Sequence, residues 1–366
     1  MHNDVVLWIV VATALAFDFT NGFHDTANAV ATSISTRAMA PRVAVTMAAA
    51  LNFAGAFISL AVAATIASGI VDADLITLEI VFSGLIGAIA WNLLTWYFGL
   101  PSSSSHALIG GVVGAAFAAE GTKAVLGDGL IEKVMIPALV APVLAMITAG
   151  IAIVIIYRIV GRQGPSTVSR GFRLGQIVSG GMLALSHGTN DAQKTMGIIA
   201  LALVANGSLA PGADPPTWVI VSAATAIALG TYVGGWRIIR TMGSRIIKMD
   251  PAQGFAAQSA GATVILSASH VGFPLSTTHV ISGAIIGAGA AKRFSAVRWG
   301  VAGNILVAWV LTLPASAIVG AITYGVTRLF GTGAAGPVVV SAVLLGVLGW
   351  VFGRRVVAGR TLTAEG

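Results

Sequence analysis

The chain has 366 residues, of which 56% are apolar and only 9% charged, with a mean hydropathy of +0.91. A soluble domain carries about 25% charged residues, so this composition excludes a water-soluble globular fold. The lack of cysteine excludes disulfides, thiol catalysis and cysteine-ligated metals, and the net charge of +7 reflects juxtamembrane Lys and Arg, with no nucleic-acid partner implied.

Apolar stretches long enough to cross a hydrocarbon core of about 30 Å are predicted near 5–32, 43–68, 78–99, 105–119, 134–157, 174–205, 217–236, 253–271, 277–291, 299–327 and 337–353. Segments 105–119 and 277–291 are short enough to be re-entrant hairpins. A β-barrel would need alternating segments of ~10 residues, and none occurs. No removable signal peptide is expected, because the N-terminus lacks a basic region and a cleavage site. The expected fold is all-α: a polytopic membrane protein of about 10–12 transmembrane segments. Basic residues sort by side. Arg37 and Arg42, then Arg158, Arg162, Arg170 and Arg173, then Arg237, Arg240, Arg245 and Lys248, then Lys292, Arg293 and Arg298, and finally Arg354, Arg355 and Arg360 occupy alternate loops. Opposite loops hold Lys123, Lys133 and Arg328 beside Asp72, Asp74, Asp128 and Asp214. The positive-inside rule then places the N-terminus outside and the C-terminus in the cytoplasm, in the cell (inner) membrane.

Two motifs recur. Gly22-Phe-His-Asp-Thr-Ala-Asn28 resembles Gly188-Thr-Asn-Asp-Ala-Gln-Lys194, and Pro101-Ser-Ser-Ser-Ser-His106 resembles Pro274-Leu-Ser-Thr-Thr-His279. Same order and nearly equal offset imply a duplication. Five apolar segments per half make the copies inverted in the membrane, an architecture of transporters with a midplane site. The expected division is 1–160 as first repeat, 161–173 as a short basic cytoplasmic linker, 174–330 as second repeat, and 331–366 as an extra C-terminal helix and tail.

On a helix, Asn21, Asp25, Asn28 and Thr32 share one face, as do His187, Asp191 and Lys194. An ionisable group in a membrane helix costs roughly 2.5–3.5 kcal/mol and faces the protein interior or a wet cavity. Interhelical polar packing explains a lone Asn or Thr, but less readily Asp25 and Asp191, placed alike in both halves. Asp18 has no counterpart in the second half. Pro followed by Ser or Thr reads as a helix start. Set within the bilayer, such a start offers free N–H groups, a positive dipole end and hydroxyls to an anion. Two of them, one per half, suit a small tetrahedral oxyanion. A carboxylate accepts a hydrogen bond from protonated phosphate, which sulfate at neutral pH does not offer; Lys194 adds one positive charge.

At these residues the sequence resembles the PiT family of inorganic phosphate transporters, in its bacterial low-affinity form. Asn21-Gly-Phe-His-Asp-Thr-Ala-Asn-Ala-Val-Ala-Thr32 and His187-Gly-Thr-Asn-Asp-Ala-Gln-Lys-Thr-Met-Gly197 look like the two copies of the family signature. Gly99-Leu-Pro-Ser-Ser-Ser-Ser-His106 and Gly272-Phe-Pro-Leu-Ser-Thr-Thr-His279 are similar to its hairpin motifs. The resemblance implies symport of inorganic phosphate into the cytoplasm, often by a homodimer. By matching position it suggests Asp25, Asn28, Asn190, Asp191 and the paired Ser/Thr runs as site residues. With the residues' own chemistry added, the expected substrate set is Ser103, Ser104, Ser105, Ser276, Thr277, Thr278, Asn28, Asn190 and Lys194, and the expected cation- or proton-coupling set is Asp25, Asp191, His24, His106 and His279. Asp25 and Asp191 are also the residues expected to hold a divalent metal carried with phosphate as a neutral complex. Sodium-coupled relatives carry Glu where this chain has Asn52 and Gln258, which shifts the expected coupling ion from Na+ to H+. His24, where the signature usually has Asn, suits either a protonatable or a neutral hydrogen-bonding role. No cofactor and no enzymatic activity are expected. The rivals are a sulfate transporter, a membrane phosphatase with His106 or His279 as nucleophile, and a channel or receptor.

Overall fold

A computed structural model describes residues 4–346. Among them no strand forms, and up to residue 328 the chain runs through thirteen α-helices. These are α1 (Asp4–Ser35), α2 (Pro41–Gly55), α3 (Ala61–Ser68), α4 (Leu78–Phe98), α5 (Ser104–Glu120), α6 (Gly127–Leu130), α7 (Ile136–Val160), α8 (Pro165–Ala205), α9 (Thr217–Val233), α10 (Trp236–Arg240), α11 (Pro251–His270), α12 (Thr277–Lys292) and α13 (Trp299–Arg328). A shorter apolar helix follows at Ala335–Gly346. The expected crossing at 337–353 and the basic residues Arg354, Arg355 and Arg360 lie partly or wholly outside the described residues.

Four helical stretches are long and apolar enough to span a bilayer alone: α1, α4, α13 and the continuous rod Gly127–Val160 through α6 and α7. Their outer faces are greasy. Leu139, Val143, Ile147, Ile151 and Ile155 form an exposed i, i+4 ridge on α7, and Leu306, Val310, Ile318 and Ile322 are exposed on α13. Such a surface is tolerated where the solvent is lipid, and the molecule is a multi-pass helical membrane protein.

Three expected elements differ. The segment 43–68 is two helices, broken at residues 56–60. No Gly or Pro run marks that break; it is held from elsewhere, by Gln193 Oε1 accepting the Val62 and Ala63 N–H groups at 2.9 and 3.2 Å. These are orphan donors at the start of α3. The segment 217–236 bends by 59° between α9 and the stretch Trp236–Arg245. Gly234, at φ +76°, makes the turn. Finally, α8 starts at Pro165, so most of the expected linker 161–173 is helix.

Contacts are exchanged between the halves. α1 packs on α9 and α2 on α8, while α5 packs on α13 and α12 on α7. α1 and α8 run antiparallel along each other: Thr36 meets Gln176 at 3.0 Å, and Asp25 meets His187 and Asp191 further along. Glycines permit the close crossings. A Cβ on Gly22 would collide with the Ile227 carbonyl of α9, and one on Gly188 with the Asn52 carbonyl of α2. The same holds for Gly110 and Gly114 against α13 and for Gly283 and Gly287 against α7. Gly188→Ala is therefore expected to cost about 1–3 kcal/mol in detergent unfolding experiments. Gly300→Ala, with no atom within 4 Å of the added methyl, is expected to leave stability unchanged or slightly raised.

Outside the apolar layer, Asp250 caps α11 in a capping box with Gln253. It accepts hydrogen bonds from Tyr157 at 2.6 Å and Lys292 at 2.8 Å, tying the ends of α7, α11 and α12 together. Partial burial pushes its carboxyl up, but the bonds from Lys292, Tyr157 and the Gln253 N–H outweigh this and hold it below the usual range. A depressed folded pKa means a contribution fully present above about pH 4 and lost as pH falls through the folded value. Asp250→Ala is expected to lose about 1 kcal/mol at neutral pH. The difference from wild type should shrink in acid, which thermal unfolding at several pH values would check.

Candidate functional site

The two expected helix starts exist, and their hydroxyls meet the polar faces of α1 and α8. Ser103 caps α5, its Oγ accepting the His106 N–H at 3.1 Å, and Ser276 caps α12, accepting the His279 N–H at 3.3 Å. Capping aims the next residues inward. Ser104 donates to Asp25 Oδ1 at 3.1 Å. Thr277 Oγ1 lies 3.4 Å from Asp25 Oδ2 and 3.3 Å from Asp191 Oδ2, between the two carboxylates. Asn28 Nδ2 donates to Thr277 and Thr278 at 3.1 and 2.9 Å. The polar faces of α1 and α8 thus meet the starts of α5 and α12 in one buried cluster, with Asp25 2% and Asp191 0% exposed.

Lys194 is the cation of this cluster. Its ammonium donates to Asp191 Oδ1 at 2.5 Å, to the Leu275 carbonyl at 2.7 Å and to Ser105 Oγ. All three of its protons are engaged. Ser105 in turn donates to the Leu275 carbonyl at 3.1 Å, so Lys194 and Ser105 stitch α8, α5 and the approach to α12 together.

Each carboxylate has a histidine. His24 Nδ1 is 2.7 Å from Asp25 Oδ1, and its Nε2 is 3.1 Å from Thr95 Oγ1. Ser102 donates to the same Thr95 oxygen at 2.8 Å. His187 lies between Asn52 Oδ1, 3.2 Å from Nδ1, and Asp191 Oδ2, 3.1 Å from Nε2. Ligand atoms of Asp25, His187 and Asp191 all fall within 4.8 Å of one another, a buried nitrogen–oxygen set able to hold a cation. His187 was not among the expected site residues, although it precedes Asp191 by one helical turn. Thr95 and Ser102 were likewise not expected.

Other expected residues are placed differently. Asn190 directs its amide nitrogen to Ser269 Oγ at 2.7 Å and the Phe273 carbonyl at 3.1 Å. Its carbonyl oxygen, like that of Asn28, is buried without a hydrogen-bond partner, and each is free to receive one from a ligand. His106 and His279 stack edge to face with centroids 4.8 Å apart, and His279 lies on Trp309 at 4.0 Å. They border an apolar cavity of about 620 Å³ among α7, α12 and α13. Among the described residues, neither ring is hydrogen-bonded or ion-paired to Asp25 or Asp191. Asn52 donates to Thr231 at 2.8 Å, and Gln258 bonds Thr32, Ser33 and Ser179.

Residues 21–320 match the model of the phosphate transporter family. The chain is 56% identical over 327 residues to a "Probable low-affinity inorganic phosphate transporter" of Mycobacterium tuberculosis (strain ATCC 25618 / H37Rv), covering 89% of this chain and 78% of that protein. It is 46% identical over 325 residues to a protein of the same description from Bacillus subtilis (strain 168), covering 88% and 97%. Among solved structures it is similar to one described as "The sodium-dependent phosphate transporter", with TM-score 0.81, 25% identity, and coverage of 88% of this chain and 99% of that one.

Proposed function

The chain belongs to the phosphate transporter family, and from that premise we propose that it imports inorganic phosphate by symport, driven by protons. The family and the relatives are transporters, not enzymes. The observation that carries the reading is the buried cluster in which two capped helix starts, two carboxylates and one ammonium converge. Ser104, Ser105, Thr277 and Thr278 supply hydroxyls, and the starts of α5 and α12 supply positive dipole ends for the anion. Asp25 and Asp191 accept hydrogen bonds from a protonated phosphate, and the free carbonyls of Asn28 and Asn190 accept further donors or a cation. In this reading Lys194 exchanges one of its present partners for a phosphate oxygen.

Proton coupling is supported by the two histidine–carboxylate pairs and by the amides at Asn52 and Gln258 in place of carboxylates. A divalent cation travelling with phosphate would use Asp25, His187 and Asp191. Sodium coupling is the second reading, favoured by the sodium-dependent structural neighbour. The two halves act as inverted copies, residues 1–160 and 174–330, rocking about the site in a homodimer in the cell membrane. The N-terminus is outside and the C-terminus in the cytoplasm. The broken pair α2–α3 and the bent pair α9–α10 are discontinuous helical stretches, one in each half.

Uptake of labelled phosphate into proteoliposomes in the presence of competitors tests the substrate. Arsenate, which is also protonated at neutral pH, is expected to compete, and sulfate at equal concentration is not. Equal competition by sulfate would contradict the assignment.

A further inference from the structure

Between α7 and α13 the fold leaves a groove. α13 packs on α4 and α5, whereas α7 packs on α11 and α12. The cavity of about 620 Å³ lies between them, floored by α12 and by the rings of His106 and His279. Leu139 and Val143 line it from α7 and Val310 from α13, and all three are exposed at its rim. Gly303 lines it too. Gly114 and Gly287 are glycines because backbones cross there, but a Cβ on Gly303 would meet no atom within 4 Å. No protein contact accounts for a glycine at this position of α13; what it preserves is the room.

Depth and charge identify the occupant. Trp299 stands at the mouth of the groove, and Trp309 packs on His279 at its floor. The two lie ten residues apart on α13, a rise of about 15 Å. That is one leaflet of a hydrocarbon core of about 30 Å. Trp299 and Phe294, with ring centroids 4.5 Å apart, are both exposed, as aromatics at headgroup level are. Beside them Arg293 and Arg298 are exposed, and among the described residues neither pairs with a carboxylate. Arg293 donates to Ser295 Oγ at 2.8 Å and Arg298 to the Ser244 carbonyl at 3.0 Å. A guanidinium has five N–H groups, so each keeps donors for an anion.

We propose that this groove binds one anionic phospholipid, with its headgroup on Arg293 and Arg298 and an acyl chain running down to Trp309 and His279. The chain fills apolar space as deep as one leaflet, and the basic mouth selects the headgroup charge. Its end rests against the histidines that follow the caps Ser103 and Ser276, so the lipid backs both helix starts of the buried cluster. Assigning it to the cytoplasmic leaflet rests on the orientation proposed above; the binding itself does not.

The test uses the full chain in phosphatidylcholine vesicles without phosphate, read by tryptophan fluorescence. Phosphatidylglycerol brominated on its acyl chains, added at low mole fraction, is expected to quench more than brominated phosphatidylcholine at the same fraction. Gly303→Phe, which fills the groove, is expected to remove that excess. Arg293→Gln combined with Arg298→Gln is expected to weaken the preference for phosphatidylglycerol at least about tenfold. Equal quenching by the two lipids in wild type would mean boundary lipid only and would overturn the proposal. An undiminished excess in Gly303→Phe would do the same. Because the chain has no Cys, Val143→Cys reports a rival occupant: disulfide-linked dimers through that position would give the groove to a second copy, against the proposal. A chain that bound the lipid in this way but carried no phosphate would contradict the transport reading and leave this site standing.

Discussion

Replacing both Asp25 and Asp191 by Asn should reduce phosphate uptake by at least about 100-fold while the protein still folds. Asn keeps the shape but loses the charge that Thr277, Ser104, His24, His187 and Lys194 are arranged around. Hydrogen bonds to charged groups contribute roughly 1.5–3 kcal/mol each, so losing one at each carboxylate amounts to two decades or more in binding. Each single variant should fall between wild type and the double variant, because Thr277 retains one carboxylate. Uptake at the wild-type rate by the double variant would show that phosphate and its cation are held elsewhere.

Lys194→Met should have the largest effect on stability. The ammonium is 1% exposed and joins Asp191, Ser105 and Leu275. Removing it leaves Asp191 buried with only His187 and the Thr277 hydroxyl beside it, at a cost of about 3–5 kcal/mol. The Asp191→Asn, Lys194→Met pair removes both charges and should recover much of that loss without recovering transport. Thermal unfolding of the four proteins in detergent closes the cycle. A single Lys194→Met variant as stable as wild type would mean that the ion pair contributes nothing to the fold.

The helical membrane fold was legible because lipid-facing ridges and buried polar faces leave opposite marks on the same chain. Leu139 to Ile155 and Asn21 to Thr32 are both periodic, one greasy and one polar. The helix starts were legible too, since Pro-Ser is local chemistry: Ser103 and Ser276 cap as their positions suggested. What stayed hidden depends on partners far along the chain. The break at residues 56–60 is held by Gln193, more than a hundred positions away. His187 gains its place from Asn52 of α2 as much as from its spacing to Asp191. His106 and His279 follow both caps, yet their rings turn towards Trp309 and the apolar cavity. Which face of a short helix meets the site is decided by its neighbours, here α7 and α13.

Proton-driven symport is tested most directly by accumulation of labelled phosphate in proteoliposomes above its outside concentration, with an inward proton gradient and an inward sodium gradient imposed in separate experiments. Concentrative uptake is expected with the proton gradient, with collapse when that gradient is dissipated. Concentrative uptake with sodium alone would move the coupling to the sodium reading. Mere equilibration of phosphate under either gradient would contradict symport.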